Sequence, residues 1–403
     1  MGNLLSALLL QAGYNAALVA VGSALLGFAA GASGTFLFLR KRALVSDAVA
    51  HATLPGVGLA FIIMVALGGD GRSLLGLLAG SAVTAGIGLL LVEWIARRTR
   101  LSEDAAIGAV LSVFFGIGIV LLTVIQTMSA GRQAGLEDFL LGSTAGMLRN
   151  DALIIAVAAA LTLALVLLLR RPLTLASFDP EYGTAIGQNV PRTDLAMMGL
   201  VLAVTVVGLK IVGLILIVAL LIIPPVTARF WSERTDHVVL ISGALGGIAA
   251  YVGAALSAAE PNLPTGPIIV LVGFALFALS LLLAPRRGAL SALLRHRRYQ
   301  RRVHLRQGLL ALAHGQPIYE QLTLRLLRAE GYALPDGVAT KAGRGRAAKA
   351  LRDETRWQLI RRDPAYEAAA QQYDGLTPIE TVLTADQIRE IDSRIDMRGG
   401  VMA

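Results

Sequence analysis

Asp47 and His51 are the side chains best placed to do chemistry. They stand four residues apart inside an apolar run at 44–67. On a helix that spacing puts both on one face. A carboxylate and an imidazole in hydrocarbon are costly and call for a reason. Taken alone, such a pair serves a helix–helix hydrogen bond or a proton site more readily than a metal. Its other use is as half of a divalent-metal site, with one hard oxygen and one borderline nitrogen. Pro55-Gly56 comes shortly after. Pro55 has no amide hydrogen, so it is expected to break the helix and free the carbonyl of His51 to face a cavity.

The elements that must hold this pair are membrane spans. The chain has 403 residues, 55% hydrophobic and 16% charged, with mean hydropathy +0.67. That composition fits an all-α polytopic membrane protein with a polar appendage. Apolar segments run approximately over 16–39, 44–67, 74–96, 105–128, 153–169, 195–209, 211–228, 238–258 and 267–284, each near the ~20 residues a span requires. Lys210 is the only charge between the sixth and seventh. Basic residues come after alternate spans: Arg40, Lys41 and Arg42, then Arg97, Arg98 and Arg100, then Arg170 and Arg171, then Arg286, Arg287, Arg295, Arg297 and Arg298. The positive-inside rule then places the N-terminus outside and the basic tail in the cytoplasm. That parity needs an odd number of crossings, about nine. Met1–Leu10 lacks a basic n-region, so no cleaved signal peptide is expected.

With no cysteine in the chain, disulfides, Cys-ligated zinc and thiol catalysis are excluded. There is no Gly-x-x-x-x-Gly-Lys-Ser/Thr loop, so ATP binding and hydrolysis are not expected of this chain. His51 is the only histidine in the predicted spans, which leaves too few titratable groups for an intramembrane hydrolase. Asp70, Glu137, Asp138 and Glu260 would make the outer face acidic. They read as solvated loop acids, or as a cation funnel.

Two further stretches carry information. In the inner loop, Asp179 can cap a short helix with Pro180 at its first position and Glu181 in its first turn, continuing through Ala185 and ended by Gly187. Farther on, Pro224-Pro225 is a helix break that serves as a hinge or a simple helix end. Glycines within the spans, among them Gly27, Gly31 and Gly246, let helices approach closely.

Composition changes after Pro285, which divides the chain into a transmembrane domain (1–285) and a cytosolic domain (286–403). Arg295–Arg306 suits anionic headgroups. The turn at Pro335-Asp336-Gly337 and the capping box Thr384-Ala385-Asp386-Gln387 bound short helices. Trp357–Ile360 is strand-compatible. Helices followed by a strand-like stretch suggest a small winged-helix-like domain. DNA contact would run through Lys341, Arg344, Arg346 and Lys349, but the membrane tether and the acids Asp353, Glu354 and Asp363 argue against a nucleic-acid partner.

The stretch Arg40-Lys41-Arg42-Ala43-Leu44-Val45-Ser46-Asp47-Ala48-Val49-Ala50-His51-Ala52-Thr53-Leu54-Pro55-Gly56 resembles the signature of the membrane permease subunits of bacterial manganese/zinc/iron ABC importers. Ala50 stands where that family often has Ser. The segments 214–229 and 264–267 are similar to it too, and the likeness covers about 14–285. The resemblance implies a bacterial inner-membrane permease carrying Mn²⁺, or next Zn²⁺ or Fe²⁺, as cargo, with no resident cofactor. It implies a second permease chain, identical or paralogous, so that two Asp47 and two His51 surround one ion. It implies two separate ATPase subunits docking on the short helix Asp179–Gly187, and an extracytoplasmic metal-binding protein. Uptake would weaken as His51 protonates in acid. Rival expectations are a siderophore or cobalamin permease of related fold, a membrane-tethered metal-responsive regulator and a proton-coupled carrier.

Overall fold

The structure is a computed structural model that describes residues 2–69, 71, 73–128, 147, 149–260, 263–285 and 287–399. Asp70, Glu137, Asp138 and Arg286, and most of the loop before Asn150, lie outside the described residues. The chain divides into two compact units, Met1–Ser291 and Ala292–Ala403.

The first unit contains α1 (Gly2–Leu8), α2 (Tyr14–Leu39), α3 (Leu44–Ala66), α4 (Leu74–Arg98), α5 (Glu103–Thr127), α6 (Arg149–Phe178), α7 (Pro180–Ala185), α8 (Val190–Arg229), α9 (Thr235–Ala259) and α10 (Thr265–Leu283). Among the described residues eight helices are long and apolar enough to cross a membrane: α2 to α6, the Val190–Leu209 arm of α8, α9 and α10. The second arm of α8, Leu216–Arg229, is apolar but shorter.

The two arms of α8 meet at Gly213, where φ is 78° and ψ is 171°, a conformation that glycine adopts without a Cβ clash. A Cβ on Gly208 would stand 2.5 Å from Cδ1 of Ile217. Straight helix would put those residues about 13 Å apart, so the chain turns back at Gly213. The nine expected segments are therefore eight long helices and one short returning arm. The turn falls at Gly213 rather than Lys210 because only the glycine tolerates the required φ. The returning arm ends near α10, where the Trp231 indole donates to Ser280 Oγ at 2.9 Å and Arg287 pairs with Glu233 at 2.8 Å.

Helix α2 is the central post. Every residue from Ala29 to Leu37 is buried, as expected of a helix surrounded on all sides. It packs on α9 with almost no side chain between the backbones. A Cβ on Gly27 would overlap the Gly246 carbonyl, and one on Gly31 would overlap that of Ser242. The Ser242 hydroxyl donates to the Gly31 carbonyl at 2.6 Å. α2 then ends in a Schellman turn: Lys41 N–H bonds Phe38 O at 3.0 Å and Arg42 N–H bonds Leu37 O at 2.9 Å. Lys41 holds the left-handed position with φ 62°, where glycine is the usual residue.

The second unit continues from α11 (Ala289–Ala313) into α12 (Gln321–Ala329), α13 (Lys341–Ile360), α14 (Glu367–Ala370) and α15 (Ala385–Gly399). The expected capping box forms, with Thr384 N–H donating to Gln387 Oε1 at 2.9 Å. Trp357–Ile360 is not a strand. It is the last turn of α13, with Trp357 fully buried against Ile360, Ile379 and Ile391. Its β-forming residues serve a core instead of a sheet edge. Among the described residues the unit has one isolated bridge, Ala333 to Ala339, and no strand pair of the kind a wing needs. Lys349 is paired with Glu380 at 3.1 Å. Arg356 grips Asp392 through two bonds of 2.7 and 2.6 Å and holds that carboxyl below its ordinary value.

This packing sets two measurable outcomes. Gly31→Leu would force α2 away from α9, and the amount of folded protein extracted from membranes should fall at least fivefold against Gly86→Leu, where a Cβ meets open space. In the second unit, the Asp392 carboxyl titrates lower folded than unfolded. Its stabilisation is complete above the unfolded value of about 4 and is lost as pH falls through the folded one. Amide protection factors in α13 and α15, corrected for intrinsic exchange, should fall below about pH 4, and Arg356→Gln should reduce that pH dependence.

Candidate metal site

Asp47 and His51 are brought together as the spacing requires. Asp47 lies in the first turn of α3, and its Oδ1 is 3.4 Å from His51 Nε2. That separation suits chelation: with metal–ligand bonds near 2.1 and 2.2 Å it corresponds to an angle of about 105° at the ion. The ring of His51 stands edge-on to Phe115 of α5, centroids 5.1 Å apart and planes at 89°, and His51 Nδ1 is buried without a hydrogen-bond partner. Sequence reading missed Phe115, because contact between α3 and α5 has no local signature. Side-chain exposure is 38% for Asp47 and 21% for His51, while Val45, Ser46, Ala48, Val49 and Ala50 around them are buried. The pair thus occupies the open side of α3. Among the described residues no group of three or more His, Cys, Asp or Glu is arranged to hold a metal. One chain presents two ligands, which is half of a tetrahedral set.

The break expected at Pro55-Gly56 is absent. α3 runs without interruption from Leu44 to Ala66. Pro55 still deprives the His51 carbonyl of its usual amide donor, but the helix continues through it, with neighbouring helices packed closely beside it. A Cβ on Gly56 would overlap the Gly80 carbonyl of α4, and one on Gly118 of α5 would stand 2.6 Å from Cβ of Leu54. Pro224 and Pro225 likewise lie inside the returning arm of α8 with helical geometry on both sides. Pro225 frees the Leu221 carbonyl, which packs against the α-carbon face of Gly34. The non-helical backbone of α8 is at Gly213, eleven residues earlier than the proline pair.

The short helix α7 forms as expected. Asp179 Oδ1 accepts from the Tyr182 amide at 2.9 Å, Pro180 and Glu181 occupy its first turn, and Ala185 is its last residue. Gly187 turns the chain with φ 87°. Phe178, Tyr182 and Ile186 are exposed around it. The Gln188 side chain fastens the joint into α8, donating to Pro172 O at 2.9 Å and to Thr193 Oγ1 at 3.1 Å.

Between α7 and the Asp47–His51 pair lies a layer of charge that sequence reading took only as a sign of topology. Arg40 forks onto Asp194 of α8 with bonds of 3.2 and 2.9 Å. Arg42 reaches Glu103 of α5 at 2.8 Å, Glu93 of α4 at 3.7 Å and Asp194 at 3.8 Å. Glu93 also pairs with Arg97. Asp194 is only 4% exposed, and removing one partner from such a buried pair costs about 3–5 kcal/mol. Arginines at the C-terminal end of α2 and carboxylates near the N-terminal ends of α5 and α8 are also the signs that helix dipoles favour. The available signal was three acids at helix ends facing the same side as Arg40–Arg42; their pairing across 154 residues for Arg40–Asp194 is a tertiary fact.

Comparison with known proteins agrees with this architecture. Residues 14–284 match the model of the ABC 3 transport family. The chain is 40% identical over 303 residues to the manganese transport system membrane protein MntC of Bacillus subtilis, covering 75% of this chain and 67% of that one. It is 36% identical over 280 residues to the zinc transport system membrane protein TroC of Treponema pallidum, covering 70% and 92%. Among solved structures, PsaBC from Streptococcus pneumoniae in complex with Fab matches with TM-score 0.58 and 30% identity, over 67% of this chain and 91% of that one. This multi-pass membrane chain belongs to the ABC 3 transport family.

Proposed function

We propose that this chain is the permease subunit of an ABC importer that moves a divalent transition metal ion into the bacterial cytoplasm. The observation that carries the proposal is the Asp47–His51 pair, spaced for chelation on the open side of a membrane helix. A half-exposed carboxylate facing hydrocarbon would be costly; facing the same pair on a second permease chain, it completes a site of two oxygens and two nitrogens. Both ligands must be deprotonated to bind, so uptake falls in acid. A site split between two chains opens when they move apart.

The N-terminus is outside and the second unit cytoplasmic, with Arg40–Arg42 and α7 on the cytoplasmic side. Two separate ATPase subunits dock on α7, where Tyr182 and Ile186 offer exposed apolar contacts, and an extracytoplasmic protein delivers the ion. Support for Mn²⁺ first and Zn²⁺ next comes from the names of the manganese and zinc relatives. Four N/O ligands suit either metal, and Fe²⁺ as well. A solved neighbour titled as a putative metal-chelate type ABC transporter is 19% identical and shares the fold alone.

Radiolabelled Mn²⁺ and Zn²⁺ uptake in cells tests the proposal. At matched membrane levels, Asp47→Ala and His51→Ala should each lower uptake of the physiological metal at least tenfold. Full uptake of both metals by both variants would remove the site and favour a chelate substrate or a sensing role.

A further inference from the structure

We propose that Arg40, Arg42 and Asp194 form the mechanical link between α7 and the Asp47–His51 pair, acting as positioning residues for the metal ligands. The inference rests on the functional reading above, in which α7 receives the ATPase and Asp47 and His51 hold the ion.

The link can be traced bond by bond. α7 is joined to α8 by 186–189, and that joint is stiffened by the Gln188 side chain, which bonds both Pro172 O in α6 and Thr193 Oγ1 in α8. The next residue, Asp194, is buried and held by two of the guanidinium nitrogens of Arg40, Nε and Nη2. Arg40 and Arg42 flank Lys41, whose φ of 62° makes the turn between α2 and α3 tight and strained for a residue with a Cβ. Arg42 is ion-paired with Glu103 at 2.8 Å and approaches Glu93 and Asp194, so the start of α3 is drawn electrostatically to α4, α5 and α8 at once. From Arg42 to Asp47 is about 7 Å of helix rise, with Val45 N–H bonded to Arg42 O and Ser46 N–H to Ala43 O.

Two features distinguish this from a static clasp. A cavity of about 430 Å³ opens between the charged side chains and α7, bounded by Arg40, Arg42, Glu103, Thr184, Pro191 and Asp194, so the first turns of α8 have room to shift. Arg42 Nη1 is also buried without a hydrogen bond. It has carboxylates on two sides at 3.7 and 3.8 Å and is fully bonded to neither. A guanidinium between two carboxylates has two arrangements, one nearer Glu93 and one nearer Asp194, which is the bistable element that coupling needs. Movement of α7 towards or away from the bundle would select one of them and rotate the first turn of α3, carrying Asp47 with it.

The test is a double-mutant cycle on the complete transporter in proteoliposomes, reading metal taken up per ATP hydrolysed, with equilibrium Mn²⁺ binding measured in parallel. Asp194→Asn and Arg42→Gln should each lower uptake per ATP about tenfold, leave Mn²⁺ affinity within twofold, and be no worse combined than alone, because both cut one link. Arg42→Lys keeps the charge, loses the planar guanidinium that reaches several carboxylates at once and should give an intermediate loss, which covers failure of the first pair to fold. Unchanged uptake per ATP, losses that multiply, or an Mn²⁺ affinity that falls in step would overturn the link. If the wild-type protein moves no metal, the functional reading fails by itself. The link is then judged by distance: spin labels on cysteines at Leu44 and Ile186, in a chain with no cysteine of its own, should report a shift on docking of the ATPase that Asp194→Asn abolishes. Equal shifts in both would overturn it.

Discussion

Charge that water cannot reach must be matched from within, and most of this membrane unit can be understood from that constraint. Asp194, nearly inaccessible, is held by the fork of Arg40. Arg42 is shared among carboxylates from three helices. The exception is Asp47 with His51, whose open side has no further ligand among the described residues. Asp194 and Arg42 have oppositely charged neighbours within the chain, whereas the Asp47–His51 pair, with no further ligand among the described residues, marks the place where something from outside the chain belongs.

Holding that pair in register falls to helices that touch backbone to backbone. Without a hydrophobic drive between spans, close approach is the main source of attraction. α2 meets α9 through Gly27, Gly31 and Gly246, and α3 meets α4 through Gly56 and Gly80. This also explains why the prolines at 55, 224 and 225 leave their helices unbroken. At Pro225 the carbonyl that loses its amide donor, that of Leu221, is packed against Gly34.

Much of this was legible in sequence where the signal is local. The spacing of Asp47 and His51, the cap of Asp179 on α7 and the turn at Gly187 depend on neighbours a few residues away, and each has the geometry expected. Span count was half legible: hydropathy locates apolar runs, but the reversal at Gly213 is set by one backbone angle in a region rich in glycine. Trp357–Ile360 was misread because β-forming residues are equally at home in a helix that fills a core. The layer from Arg40 to Asp194 was not legible as a network, since its partners are up to 154 residues apart and basic residues after a span already had an explanation in topology.

Everything proposed for transport depends on one chain carrying half a site. The most direct measurement is Mn²⁺ binding to the purified full-length protein in lipid nanodiscs, combining metal content per chain with pulsed electron paramagnetic resonance of the bound ion. One Mn²⁺ per two permease chains, coupled to two equivalent imidazole nitrogens, is the predicted result. One ion per chain, or an ion with no nitrogen coupling, would contradict it.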